Sequence, residues 1–269
     1  MKRNTCMLIA LILMLAVATA LLSGCSNGEK GNFTDEMKIP YAADLSPDDG
    51  ADSVERDGDH PDSPYFKHPD FYNMTSTGTL TILSKFKTQQ QTSEWSCGVS
   101  AALMVLEWYG KLGDYNELTL SEFRKPSEYS PDLPGGSIPS ATTLRQMIEM
   151  FEGVGGFDIY STFDCADNAD EVFTFDYIQE TLKAGHPILI GWNDWGGHWQ
   201  AIIGYDTMGT DYEGDDVIIV ADPYDSTDHN QDGYGIYSAE RFLYNFTFYN
   251  FFPEEELNDM TFLVVKPKS

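Results

Sequence analysis

The chain has 269 residues, with 43 Asp and Glu against 16 Lys and Arg, and a formal charge of −27 at neutral pH. That balance excludes nucleic acid as a partner, because DNA and RNA are bound through Lys and Arg that neutralise phosphate. A surface this acidic attracts cations or basic peptides instead.

Lys2 and Arg3 precede an apolar run from Met7 to Leu22, which ends in Leu22-Ser23-Gly24-Cys25. A charged start, an apolar core and a small-residue cleavage site make residues 1–24 a secretory signal; an uncleaved signal anchor is the alternative. The Leu-Ser-Gly-Cys ending resembles a bacterial lipobox. That resemblance implies Cys25 as the lipidated first residue of the mature protein, which meets the membrane through lipid on the extracytoplasmic face.

Residues 25–74 carry Asp44, Asp48, Asp49, Asp52, Glu55, Asp57, Asp59 and Asp62 against Arg56, with no apolar period. Such a run cannot bury enough surface to offset its ordering entropy, so it reads as an acidic disordered spacer. An acidic partner-binding tail is the other reading. Residues 75–269 are long enough for one domain with a sizeable core.

The domain's first informative stretch is QTSEWSCGVSAALMVLEWYG, residues 91–110. Ala102, Leu103, Leu106 and Tyr109 form a helical stripe and Gly110 is a stop, so the spacing predicts a helix over 98–109 with Cys97 in its first turn. Unpaired N–H groups and the helix dipole stabilise an anion there, which gives a thiol thiolate character. Cys97 is therefore a candidate nucleophile. Its rival role is a disulfide to Cys165, which an extracytoplasmic location permits. Gln91, six residues earlier, could join the Cys97 N–H in holding an oxyanion. Gln89 and Gln90 compete with it by composition, and the spacing favours Gln91.

Further helices are predicted around 118–123, around 140–151 with Ser140 as cap, and around 173–184. Strands follow at 188–192, 198–205, 217–220 and 261–265. Helices segregated from a largely antiparallel sheet make the fold class α+β.

A nucleophile needs a base and an orienter. His60, His68, His186 and His229 have poor contexts. His198 opens the strand HWQAIIGYD after Gly196-Gly197, a turn that leaves room for a substrate. Asp222, just past the next strand, is placed to accept from His198 Nδ1 and fix its tautomer. Asp206, Asp194 and Asn193 are alternatives. Trp192, Trp195, Trp199 and Tyr224 crowd the same strand ends, as core packing or as an apolar wall for substrate.

In the run DSTDHNQDGYGIYSAERF, Asp228, Asn230, Asp232 and Gly233 match positions 1, 3, 5 and 6 of a calcium loop, but Ala239 stands at position 12 with Glu240 one residue late. The match is half complete: it offers a structural calcium, and Asp, Asn and Gly also build ordinary turns. No spacing of His and Cys suggests a transition metal.

Gln91, Cys97-Gly98 opening a helix, Gly-Gly-His198 opening a strand, Gly204-Tyr205-Asp206 and Asp222-Pro223 together resemble the papain-fold cysteine peptidases related to the double-glycine leader peptidases of bacteriocin exporters. The resemblance spans nearly all of residues 80–265 and implies Cys97 as nucleophile, His198 as base and acid, Asp222 as orienter and Gln91 as oxyanion donor. Those exporters carry an ATP-driven transporter, whereas no phosphate-binding Gly-Lys loop occurs here, so their leader specificity does not transfer.

The expected protein is a standalone, lipid-anchored thiol hydrolase that cuts peptide or isopeptide bonds and requires no cofactor. Papain-fold acyl transfer and a non-catalytic, calcium-held peptide-binding module are the alternatives.

Overall fold

A computed structural model describes residues 36–43, 45, 50–51, 64–65, 67, 69–125, 141–226, 228, 230–247 and 259–269. The expected signal sequence, Cys25 with its expected lipid, most of the expected spacer, Ser140, His60, His68 and His229 lie outside them. No helix among the described residues is long and apolar enough to cross a membrane.

Among the described residues seven strands form one antiparallel sheet: β1 Leu80–Ile82, β2 Phe157–Ser161, β3 Ile188–Trp192, β4 His198–Asp206, β5 Val217–Ala221, β6 Tyr234–Ser238 and β7 Thr261–Pro267, in the order β2-β7-β3-β4-β5-β6 with β1 on β4. Strand β1 pairs with the C-terminal half of β4, where Leu80 faces Asp206, and β3 pairs with its N-terminal half, where Trp192 faces His198. β4 is therefore flanked along its length, and its apolar residues are buried from Trp199 to Tyr205. A register shift between Ile202 and Gly204 lets β4 follow β5. Gly204 is required there, since a Cβ would lie within 3.2 Å of both Ile219 and Ile82.

Among the described residues six α-helices pack around the sheet: α1 Cys97–Trp108, α2 Glu117–Ser121, α3 Leu144–Val154, α4 Ala169–Val172, α5 Phe175–Lys183 and α6 Ala239–Tyr244. α1 is buried on every side from Cys97 to Leu106, more fully than an apolar stripe demands, because it packs on the centre of the sheet and against α2 and α3. α3 begins at a Thr143–Gln146 capping box, three residues after the Ser140 cap that the sequence suggests. The architecture is α+β with a largely antiparallel sheet and helix α1 packed upon it, as expected.

Several residues within the expected spacer pack against the domain. Met37 and Ile39 are buried, Ile39 N–H donates to Thr88 O and Thr88 N–H to Met37 O. Ala51 is fully buried, its N–H donates to Gln91 O at 3.0 Å, and Gln231 Nε2 donates to Ala51 O at 3.2 Å. These few apolar residues, too sparse to show a period, are ordered by pairing with residues 88–91.

Candidate active site

Cys97 is the first residue of α1 and is nearly buried. Its neighbour Gly98 sits against Thr142, where a Cβ would approach that side chain to 2.7 Å. Thr142 is held in place by Arg124 Nη1, which donates to Thr142 Oγ1 at 2.8 Å, and by Trp199 Nε1, which donates to Thr142 O at 2.7 Å. Only glycine lets α1 begin so close to that shelf.

The loop before Cys97 is pinned from below. Buried Glu117, in the first turn of α2, accepts from Thr92 N–H at 3.0 Å, Thr92 Oγ1 at 2.6 Å and Ser100 Oγ at 2.8 Å. One carboxylate thus ties residue 92 to the first turn of α1. Gln91 N–H donates to Pro223 O at 2.7 Å, which fastens the same loop to the residue after Asp222. Gln91 Nε2 donates to Ser93 O at 2.7 Å, and its buried Oε1 has no partner.

His198 opens β4 and is buried, and its Nε2 lies 2.6 Å from Asp222 Oδ1. The expected contact was through Nδ1. The ring is turned the other way, because Asp222 stands at the end of the adjacent strand β5, beside the imidazole's far edge. Cys97 lies close enough to His198 to favour its imidazolium, and with Nε2 committed to Asp222 the nitrogen left to face the thiol is Nδ1. Burial disfavours the imidazolium, but the Asp222 charge and hydrogen bond, then Cys97, outweigh it and push His198 up to about 10. Burial likewise works against the Asp222 carboxylate, yet His198, Tyr224 N–H and Gln200 hold it below the usual carboxylate range.

The alternatives to Asp222 are accounted for. Asp206 Oδ1 accepts from Met208 N–H in a turn, and Asp194 Oδ2 accepts from Tyr237 Oη at 2.8 Å. Asn193 is not at the imidazole; its Nδ2 is buried without a partner. Cys97 and Cys165 are both free thiols. Cys165 is set apart at the foot of β2, where burial pushes its thiol up.

Sequence reasoning missed Gln200, taking it only as part of a strand. It is fully buried two residues past His198, on the same face of β4. Its Nε2 donates to Asp222 Oδ2 at 2.7 Å and to Tyr237 Oη at 2.9 Å, while its Oε1 accepts from Trp192 Nε1 at 2.9 Å. A polar amide in an otherwise apolar central strand was the available signal. Arg124 was missed too. It is buried, its guanidinium lies 5.1 Å from the Trp95 ring centre, and burial lowers it to about 10 while the neighbouring Cys97 opposes that.

At the site's rim, Trp195 has left-handed backbone angles (φ 52°, ψ 19°) and is 55% exposed. A bulky residue in this region carries roughly 1–2 kcal/mol of strain.

The candidate calcium residues form turns. Asp228 Oδ1 accepts from Asn230 N–H and Asp232 Oδ1 from Tyr234 N–H. Asp225 lies close enough to Asp228 and Asp232 to feel both; burial first, then those charges, raises it well above the usual carboxylate range. Among the described residues no three His, Cys, Asp or Glu side chains are grouped to hold a metal ion.

No curated protein matches the chain. A solved structure, of a C39-like peptidase candidate from Bacillus anthracis, is similar at 14% identity and a TM-score of 0.47, covering 71% of this chain and 98% of its own. The model of the Peptidase_C39 like family matches residues 83–247, which run from the end of β1 past α6 and include Gln91, Cys97, His198 and Asp222. The chain belongs to the Peptidase_C39 like family.

Proposed function

We propose that the protein is a thiol hydrolase that cleaves peptide or isopeptide bonds through Cys97, His198 and Asp222. Lipid on Cys25 would hold it on the extracytoplasmic face of the cell membrane. The observation that carries the chemical reading is the buried His198, paired with Asp222 at 2.6 Å on one ring nitrogen and near enough to Cys97 for the thiol to favour its imidazolium.

In the proposed reaction Cys97 Sγ attacks the substrate carbonyl carbon, and the carbonyl π pair moves onto oxygen. The Cys97 N–H and the Gln91 side-chain amide hold that oxyanion. Protonated His198 gives its proton to the leaving amine as the C–N bond breaks, leaving a thioester on Cys97. The neutral imidazole then takes a proton from water, hydroxide adds to the thioester, and Cys97 leaves as thiolate. Asp222 stays ionised throughout and stabilises the imidazolium. If an amine replaces water, the same thioester yields acyl transfer.

The test is alkylation of the purified protein with iodoacetamide at pH 6, reading Cys97 and Cys165 separately by peptide mass spectrometry. Cys97 is expected to react faster than Cys165, and His198→Ala is expected to abolish the difference. Equal rates in the native protein would sink the nucleophile assignment. Peptide-library hydrolysis, lost in His198→Ala by roughly 10²–10⁴-fold as for removal of a general base, tests the activity itself. Labelling with a radioactive fatty acid, lost in Cys25→Ala, tests the anchor.

A further inference from the structure

Trp195 is strained at its backbone and half exposed at its side chain, so neither local preference nor core packing accounts for a tryptophan between Asp194 and Gly196. Such an outlier beside a reacting group is a reason to ask what it holds. Its ring meets Tyr224 edge-on, with centroids 5.3 Å apart at 78°. Tyr224 in turn meets His198 edge-on, with centroids 6.5 Å apart at 77°. The two rings make a wall that runs from solvent to the imidazole. Tyr224 is fixed there by the backbone, since its N–H donates to Asp222 Oδ1 at 2.8 Å.

The wall's chemistry has a sign. Aromatic faces carry negative potential and attract cations. Glu94, exposed in the loop that leads to Cys97, lies close enough to bear on the Tyr224 hydroxyl. The whole chain adds a charge of −27. Arg124, the guanidinium that senses Cys97, is buried against Trp95 and bonded to Ser121 O, Ala141 O and Thr142 Oγ1.

We propose that Trp195 and Tyr224, with Glu94, form a substrate subsite that takes a cationic side chain, lysine- or arginine-like, next to the bond that Cys97 attacks. This rests on Cys97 being the nucleophile, and it adds a selectivity that the triad does not provide. Peptides with an acidic residue at that position are disfavoured, because the carboxylate would meet both the ring faces and Glu94.

The experiment compares the rates at which Cys97 of the purified protein is modified by three methanethiosulfonates: trimethylammonioethyl, neutral methyl and sulfonatoethyl. The expected result is a cation rate above the anion rate, each normalised to the neutral reagent. The normalised cation rate should fall about two- to fivefold in Trp195→Ala, the range of an exposed cation–π contact. Trp195→Gly, which suits the left-handed backbone, should show the same fall without loss of folding, and Trp195→Phe should restore part of the preference. Glu94→Gln should lower it separately and in a salt-dependent way. A cation preference unchanged in both Trp195→Ala and Trp195→Gly overturns the subsite while leaving the nucleophile intact. A neutral reagent that modifies Cys97 no faster than Cys165 overturns both.

Discussion

Gln200 and His198 hold opposite oxygens of one carboxylate: Gln200 Nε2 donates to Asp222 Oδ2 at 2.7 Å, and His198 Nε2 lies 2.6 Å from Asp222 Oδ1. The Gln200 amide is itself fixed by Trp192 Nε1 and Tyr237 Oη, so the orientation of Asp222 is set two residues along the strand that carries the imidazole.

Replacing Gln200 with Leu removes that hold and leaves Asp222 Oδ2 and Trp192 Nε1 buried without their partner. The expected loss is about 1–3 kcal/mol of stability for each group left unsatisfied. As a positioning residue, Gln200 should also move the acid limb of the Cys97 alkylation profile to higher pH, since the Asp222 carboxylate loses a donor. An unshifted limb in a folded variant would show that the amide serves packing alone. Gln200→Glu is expected to be worse than Leu, because it adds charge beside Asp222 and Asp194.

The His198–Asp222 pair gives stability a defined pH window. His198 is raised from 6.5 to about 10, so its contribution is complete below 6.5 and is lost as pH rises through about 10. Asp222 is lowered, so its contribution is present above the ordinary value of 3.8 and is lost as pH falls through its folded value. Tm measured against pH should show both limbs in the native protein. Both should flatten in Asp222→Asn, which keeps the shape and removes the charge.

Asp225 has the opposite sign to Asp222. Its raised value means a contribution present below 3.8 and lost as pH rises through the folded value, so at neutral pH the buried carboxyl costs stability. Asp225→Asn can still accept from Gly233 N–H, as Asp225 Oδ2 does at 2.9 Å. It is expected to raise Tm at pH 7 in the absence of divalent ions, and a lower Tm would refute this. A calcium-dependent rise in Tm that the variant abolishes would instead mark the loop of Asp228, Asn230 and Asp232 as a cation site.

Gly98→Ala gains up to about 1 kcal/mol of helix propensity. It also places a methyl 2.7 Å from Thr142, which Arg124 and Trp199 keep from retreating. Overpacking costs typically 1–3 kcal/mol, so the clash wins. The variant is expected to have a lower Tm and slower Cys97 alkylation.

Strands 188–192, 198–205 and 217–220 were legible because each is a short apolar run bounded by Gly, Pro or Asp. β1, β2 and β6 were not. Three residues are too few to show a period in β1, while β2 and β6 mix exposed and half-buried positions that blur the alternation. Cys97, His198 and Asp222 could be picked out as residue types at helix and strand ends, and Gln91 by its spacing from Cys97. Which imidazole nitrogen meets Asp222 could not, since it depends on how β4 and β5 register. Gln200 and Arg124 escaped for a related reason: only packing reveals that a mid-strand amide or a loop guanidinium has been buried.

β4 is flanked on one side by β3 and β1 and on the other by β5, and α1 is buried through its first ten residues. The proposed reacting groups, Cys97 and His198, thus sit on elements held by neighbours along their length. Trp195, Tyr224 and Glu94 sit on the connections between them. On the proposed function, exchanges in residues 193–197 and 223–226 can therefore change what reaches the thiol without moving it or the imidazole, so selectivity and chemistry can diverge independently on this scaffold.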